Sequence, residues 1–113
     1  MLMKNWYKGL KDRFSEFDEE FQVLNIVSDL KKANHFQKLN EENANNHLYR
    51  AIILIDYLIA DPKWRDKLKE VLRIREVIGG LICKTESYGT LDMIIEAVIQ
   101  LNCNAYKKLK IRQ

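Results

Sequence analysis

Large apolar side chains recur at steps of three and four through most of this chain, a spacing that lines them along one side of an α-helix. Trp6, Leu10, Phe14, Phe17, Phe21 and Leu24 form the first such stripe. Beyond it the phase changes, because Val23, Ile26, Val27 and Leu30 fall on a different face. A bend near Asn25, or a helix buried on two sides, is the expectation. No apolar period is sustained from Lys31 to Leu39. Asn40-Glu41-Glu42 then supplies a capping residue followed by acids that suit the positive end of a helix.

The helix that starts there turns Ala44, Leu48, Ala51, Ile52, Ile55, Leu58 and Ile59 towards a core, while Tyr49, Ile53 and Tyr57 lie on the opposite side of its wheel. Its second half is therefore apolar nearly all round. Asp61-Pro62 is the clearest boundary, since Asp can cap a helix and Pro fits a first turn that needs no N–H. A third helix follows, with Trp64, Leu68, Val71, Leu72, Ile74, Ile78 and Leu81 on a wide core face and an end between Gly79 and Thr85. Gly79-Gly80 marks a close contact or a fraying end. A turn around Ser87-Tyr88-Gly89 leads to Thr90 as the next cap, with Asp92 in the first turn and Lys107, Lys108 and Lys110 in the last, matching the helix dipole. Leu91, Ile94, Ile95, Val98, Ile99, Leu101, Ala105, Tyr106 and Leu109 give this helix a long core face. The pattern predicts an all-α fold, a small antiparallel up-and-down bundle of four or five helices forming one domain over residues 1–113.

Composition supports that picture. Gly and Pro together number five, too few for the turns of a sandwich or barrel. The chain's 113 residues and 47% hydrophobic content suffice for a modest core without disulfide or metal staples. The longest apolar run, Ala51 to Ala60, is half the length of a membrane span and contains Asp56. Trp6 to Arg13 alternates charge with apolar residues, unlike a signal peptide, and Cys83 and Cys103 stand alone as two reduced thiols would. A cytoplasmic protein is expected.

Candidate chemistry is sparse. His35, His47, Cys83 and Cys103 lack the short-spaced pairs of a zinc site, and neither His is preceded by Glu three positions earlier, as a di-iron bundle requires. Glu16, Asp18, Glu19 and Glu20 form the one local carboxylate cluster, which reads as a solvated helix surface. No phosphate-cradling glycine loop follows a strand. No catalytic residue, metal or cofactor is assigned.

Three positions break the binary pattern as buried polar candidates. Arg75 sits among Trp64, Leu68, Val71 and Ile82 on its wheel, Asp56 is the lone charge in the apolar half of its helix, and Asn102 is centred among Ile95, Val98 and Ala105. Counted from the Asp61-Pro62 turn, Asp56 and Arg75 differ in height by about 10 Å. Direct contact is therefore unexpected, and Glu96 is an alternative partner for Arg75. Basic residues gather at the start (Lys4, Lys8, Lys11, Arg13), at the end (Lys107, Lys108, Lys110, Arg112) and in a row of Arg65, Lys69 and Arg73.

These features point to a non-enzymatic protein-interaction module, a homo-oligomer or assembly subunit whose contact surface is Tyr49, Ile53 and Tyr57. The alternative is a small nucleic-acid-associated accessory or regulatory protein using Arg65, Lys69, Arg73, Lys107, Lys108 and Lys110. A ligand pocket built on Arg75, Asp56 or Asn102 is the third reading.

Overall fold

The computed structural model describes residues 2–83 and 90–111, with side chains placed for residues 9–83 and 90–110. Regular structure among them is helical throughout: α1 (Leu2–Glu16), α2 (Glu19–Phe36), α3 (Glu41–Ala60), a 3-10 helix (Pro62–Lys67), α4 (Leu68–Cys83), α5 (Leu91–Ile99) and α6 (Cys103–Tyr106), which widens into a π-helical turn over Lys107–Ile111. The all-α bundle is as expected. The Ser87-Tyr88-Gly89 turn and the Trp6 side chain lie outside the described residues.

Side-chain caps decide where the chain breaks. Asp18 accepts from the Phe21 N–H, Asn40 from Asn43, Asp61 from Lys63, Thr90 from Met93 and Asn102 from Ala105. Each satisfies one of the amides that a helix start leaves without an intrahelical partner. Asn40, Asp61 and Thr90 cap as expected, and α4 is helical through Gly79-Gly80 as far as Cys83, beyond which the expected end lies outside the described residues.

Asp18 and Asn102 correct the sequence reading. The break between the first two helices falls at Phe17-Asp18 rather than near Asn25, and α2 then runs unbroken through Lys31 to Phe36. This interrupts the stripe from Trp6 to Leu24: Phe14 is buried, but Phe17 and Phe21 are 36% and 48% exposed. The core face of α2 is instead Val23, Ile26, Val27, Leu30 and Ala33. Asn102 likewise splits the long final helix expected from Thr90 onward. Asn competes well with helix continuation by bonding nearby backbone, and here its side chain accepts from the Ala105 N–H and starts a new helix, with Leu101 and Ala105 on either side of it both buried.

α2 and α3 form the central pair. α1 leans on α3, α4 packs on the other flank of α3, and α5 and α6 close over α2. One continuous core of mainly aliphatic residues joins these elements, with Phe14 and Trp64 as its buried aromatics. The 3-10 helix crosses the bundle end and ties down its neighbours. The Lys63 ammonium donates to the carbonyls of Ser15 (2.9 Å) and Phe17 (2.6 Å) at the end of α1. The Lys67 ammonium donates to the Leu101 carbonyl where α5 ends. Both lysines thus serve carbonyls that a helix C-terminus leaves without internal donors.

Candidate functional site

The surface expected on α3 is partly used inside the fold. Tyr57 turns to α1, where its ring lies 6.0 Å from that of Phe14, and it packs against the core as a half-buried side chain. Asp56 turns the other way, to α4. Ile53 and Tyr49, one and two turns back, keep to the ridge between α1 and α4, with Tyr49 49% exposed and Ile53 half-buried. The wide apolar wheel of α3 therefore has two causes, cover from α1 and a real exposed remainder.

Of the three buried polar candidates, none is a buried unpaired group. Arg75 Nε donates to Asp56 Oδ1 at 2.5 Å, with both side chains more than two-fifths exposed, so the expectation of no direct contact is corrected. The 3-10 helix explains the error. Its three residues per turn rotate Trp64 by roughly 80° relative to an α-helical wheel over four residues. That rotation places Trp64 on the Ile74/Ile78 face and moves Arg75 to the edge, beside exposed Leu72. The segment also belongs to the connection rather than to α4, so Arg75 is seven residues into its helix and meets Asp56 at similar height. The hydrogen bond to Asp56, and then its charge, hold the Arg75 guanidinium above its already high ordinary pKa. Asn102 is half-buried as a cap.

Among the described residues, the buried polar ones are Gln22 and Asp29. Gln22 is fully enclosed and satisfied at both ends: Nε2 donates to the Phe14 carbonyl and Oε1 accepts from Trp64 Nε1, each at 2.7 Å. Asp29 is 7% exposed and lies 3.2 Å from His47 Nδ1 and 3.7 Å from Arg50 Nε. The His47 ring in turn stacks on Phe36, with centroids 5.9 Å apart. The signal for both was available, because Gln22 and Asp29 sit four residues before Ile26 and Ala33, on the core face of α2. Among the described residues, no group of three or more His, Cys, Asp or Glu is placed to hold a metal ion. Cys83 and Cys103 are exposed free thiols.

The expected basic contacts divide. Arg65, Lys69, Arg73 and Lys107 are exposed. Lys108 pairs with Glu20 at 3.0 Å, and Lys110 pairs with Glu96, whose hydrogen bond is the main cause of a raised Lys110 pKa. Glu96 thus serves Lys110 rather than Arg75.

Two exposed phenylalanines, Phe17 and Phe21, lie where α1 meets α2. The Phe17 and Phe21 rings meet edge to face at 4.6 Å. Phe17 borders a small hollow with Leu10, Phe14 and Leu54 beneath and Asp29 and Arg50 at its side. On the outer side of α2 an open groove of about 400 Å³ runs beside the C-terminal turn, with Leu24, Val27 and Leu109 as apolar walls and Ser28, Lys31, Lys32 and His35 as polar ones. No helix among the described residues is long and apolar enough to cross a membrane. The chain matches no protein-family model, and comparison with curated proteins and with solved structures finds no match.

Proposed function

We propose that this chain is a non-enzymatic protein-interaction module that self-associates or serves as a subunit of a larger assembly. The observation that supports it is Tyr49, a large amphipathic side chain left half exposed beside Ile53 on the ridge between α1 and α4. Aromatic residues of this kind supply contact area at low entropic cost and are enriched in protein contacts. Light scattering during size-exclusion chromatography, from micromolar to millimolar chain, tests the reading. The expected mass rises to at least two copies; one copy at every concentration overturns self-association.

The exposed row of Arg65, Lys69 and Arg73 supports a second reading, contact with a nucleic-acid backbone. Two of the three terminal lysines once grouped with that row are engaged by Glu20 and Glu96, which reduces the basic footprint. Fluorescence anisotropy with a mixed DNA and RNA pool decides it. Binding that weakens steeply with salt supports nucleic-acid contact, and no binding at low ionic strength removes it.

A further inference from the structure

α5 and α6 are two helices whose apolar residues are in register for one. At about 100° per residue, counted without a break from Leu91, the positions Leu91, Ile94, Ile95, Val98, Ala105 and Leu109 fall within a sector of about 100°. The break between the two helices is small. Asn102 has extended backbone (φ −137°, ψ 124°), and two side chains serve the amide and the carbonyl that the break parts. Asn102 accepts from the Ala105 N–H, and the Lys67 ammonium donates to the Leu101 carbonyl. An unbroken helix joins that same N–H to that same carbonyl, four residues back. Fusing the helices therefore leaves neither group unpaired.

The segment beyond the break is held from outside itself. α6 has four residues, too few to persist as a helix alone, and its order comes from a seat on α2 and α5. Ala105 is fully buried there, and Leu109 separates two grooves, one walled by Leu24 and Val27 and the other by Ile95 and Ile99. Lys108 pairs with Glu20 on α2, and Lys110 with Glu96 on α5. The seat thus matches this segment in both shape and charge.

We infer that two copies of the chain exchange this segment. Turning ψ of Asn102 from 124° to the helical value of about −42° swings the chain beyond it into a new direction, and α5 then runs on through α6 as one helix. Each segment fills the seat of the second copy. The occupant follows from the seat, which the chain's own segment already fills and a second copy supplies again. Exchange remakes the Ala105 and Leu109 packing and both ion pairs between chains, so only the hinge and the entropy of association separate the dimer from two single chains. The hinge favours the dimer on two counts. One long helix is more cooperative than two short ones, and a connection as short as Gln100 to Asn102 folds back with little freedom.

The inference rests on the self-association proposed above and places the contact between copies at α6, leaving the α3 ridge outside it. Crosslinking tests it, in chains whose exposed cysteines are removed by Cys83→Ser and Cys103→Ser. One such chain carries Glu20→Cys and a second carries Lys108→Cys. They are mixed at millimolar concentration so that segments exchange, then diluted and treated with a short bismaleimide. The mixture should give at least tenfold more covalent dimer than either chain alone, and Lys108→Cys mixed with Tyr49→Cys should give no such gain. Lys67→Met, which frees the Leu101 carbonyl for the Ala105 N–H, should raise the association constant read by light scattering at least fivefold, with the circular dichroism spectrum no less helical. A chain that light scattering shows to be oligomeric, yet whose Glu20→Cys and Lys108→Cys forms crosslink no better together than apart, overturns the exchange while self-association stands. An equal yield with Tyr49→Cys also overturns it, as random collision, and so does unchanged or weaker association of Lys67→Met. A chain monomeric at every concentration overturns both readings.

Discussion

Gln22 shows how much one side chain can organise. Its amide links the Phe14 carbonyl of α1 to the Trp64 indole of the 3-10 helix from the N-terminal end of the α2 core face. Replacing it with Leu keeps the volume close but strands the indole N–H, and an unsatisfied buried donor costs about 1–3 kcal/mol. Trp64→Phe likewise strands Oε1. The double variant removes both groups, and the Phe14 carbonyl still accepts from the Phe17 N–H. We expect each single change to lower stability in urea melts by about 2 kcal/mol and the pair to lose clearly less than the sum. Additive losses would mean that the indole–amide bond carries little coupling. Arg75 and Asp56 provide the contrast. Their pair is short but well exposed, and exposed ion pairs contribute about 0–1 kcal/mol. Arg75→Gln should therefore move the melt by less than about 1 kcal/mol, far below the penalty for exposing a buried guanidinium partner.

Caps, more than stripes, set the elements, and this decided what could be read from the sequence. The starts of α3, of the 3-10 helix and of α5 were legible because Asn40, Asp61 and Thr90 each precede an apolar period and stand next to a change in composition. Asp18 was hidden among four acids, and the Phe spacing continued across it as though the helix did. Asn102 was hidden inside an apolar face, where a straight wheel makes it a buried oddity rather than a cap. Removing either cap to Ala should cost about 1 kcal/mol. For Asn102→Ala the loss should appear as fewer protected amides over residues 103–107 in hydrogen exchange; unchanged protection would show that the break is imposed by packing. The same C-terminal element carries the pH signature. Donation to Glu96 raises the Lys110 pKa in the folded chain, so the interaction is fully present below the ordinary lysine value of 10.5 and fades as pH climbs through the raised one. The stability difference between the native chain and Lys110→Gln should be constant from neutral pH to about 10 and shrink above it. A difference that grew with alkalinity would reverse the assignment.

At the scale of the whole molecule, the candidate surfaces were the least legible part, because exposure is settled between elements. Tyr57 and Tyr49 have the same sequence character, and only the placement of α1 separates the one that packs from the one that stays in water. α1 is thus the element that sets how much of α3 is left outside. It packs chiefly on α3, and its end is held by Phe14, by Gln22 and by the Lys63 ammonium at the Ser15 and Phe17 carbonyls. An element whose end is held in this way should open before the central α2–α3 pair, as a partial unfolding below the global free energy. Lys63→Met keeps the aliphatic stem and removes both charged hydrogen bonds, each of a kind that contributes about 1.5–3 kcal/mol when well sheltered and less at a surface such as this. Native-state hydrogen exchange should then show the opening free energy of residues 9–16 falling by about 1–2 kcal/mol, with the slowest amides of α3 changing in proportion to global stability alone. Equal shifts in α1 and α3 would show instead that α1 unfolds only with the whole bundle. In that case the Tyr57 side of α3 is never uncovered short of global unfolding, and the exposed ridge stays limited to Tyr49 and Ile53.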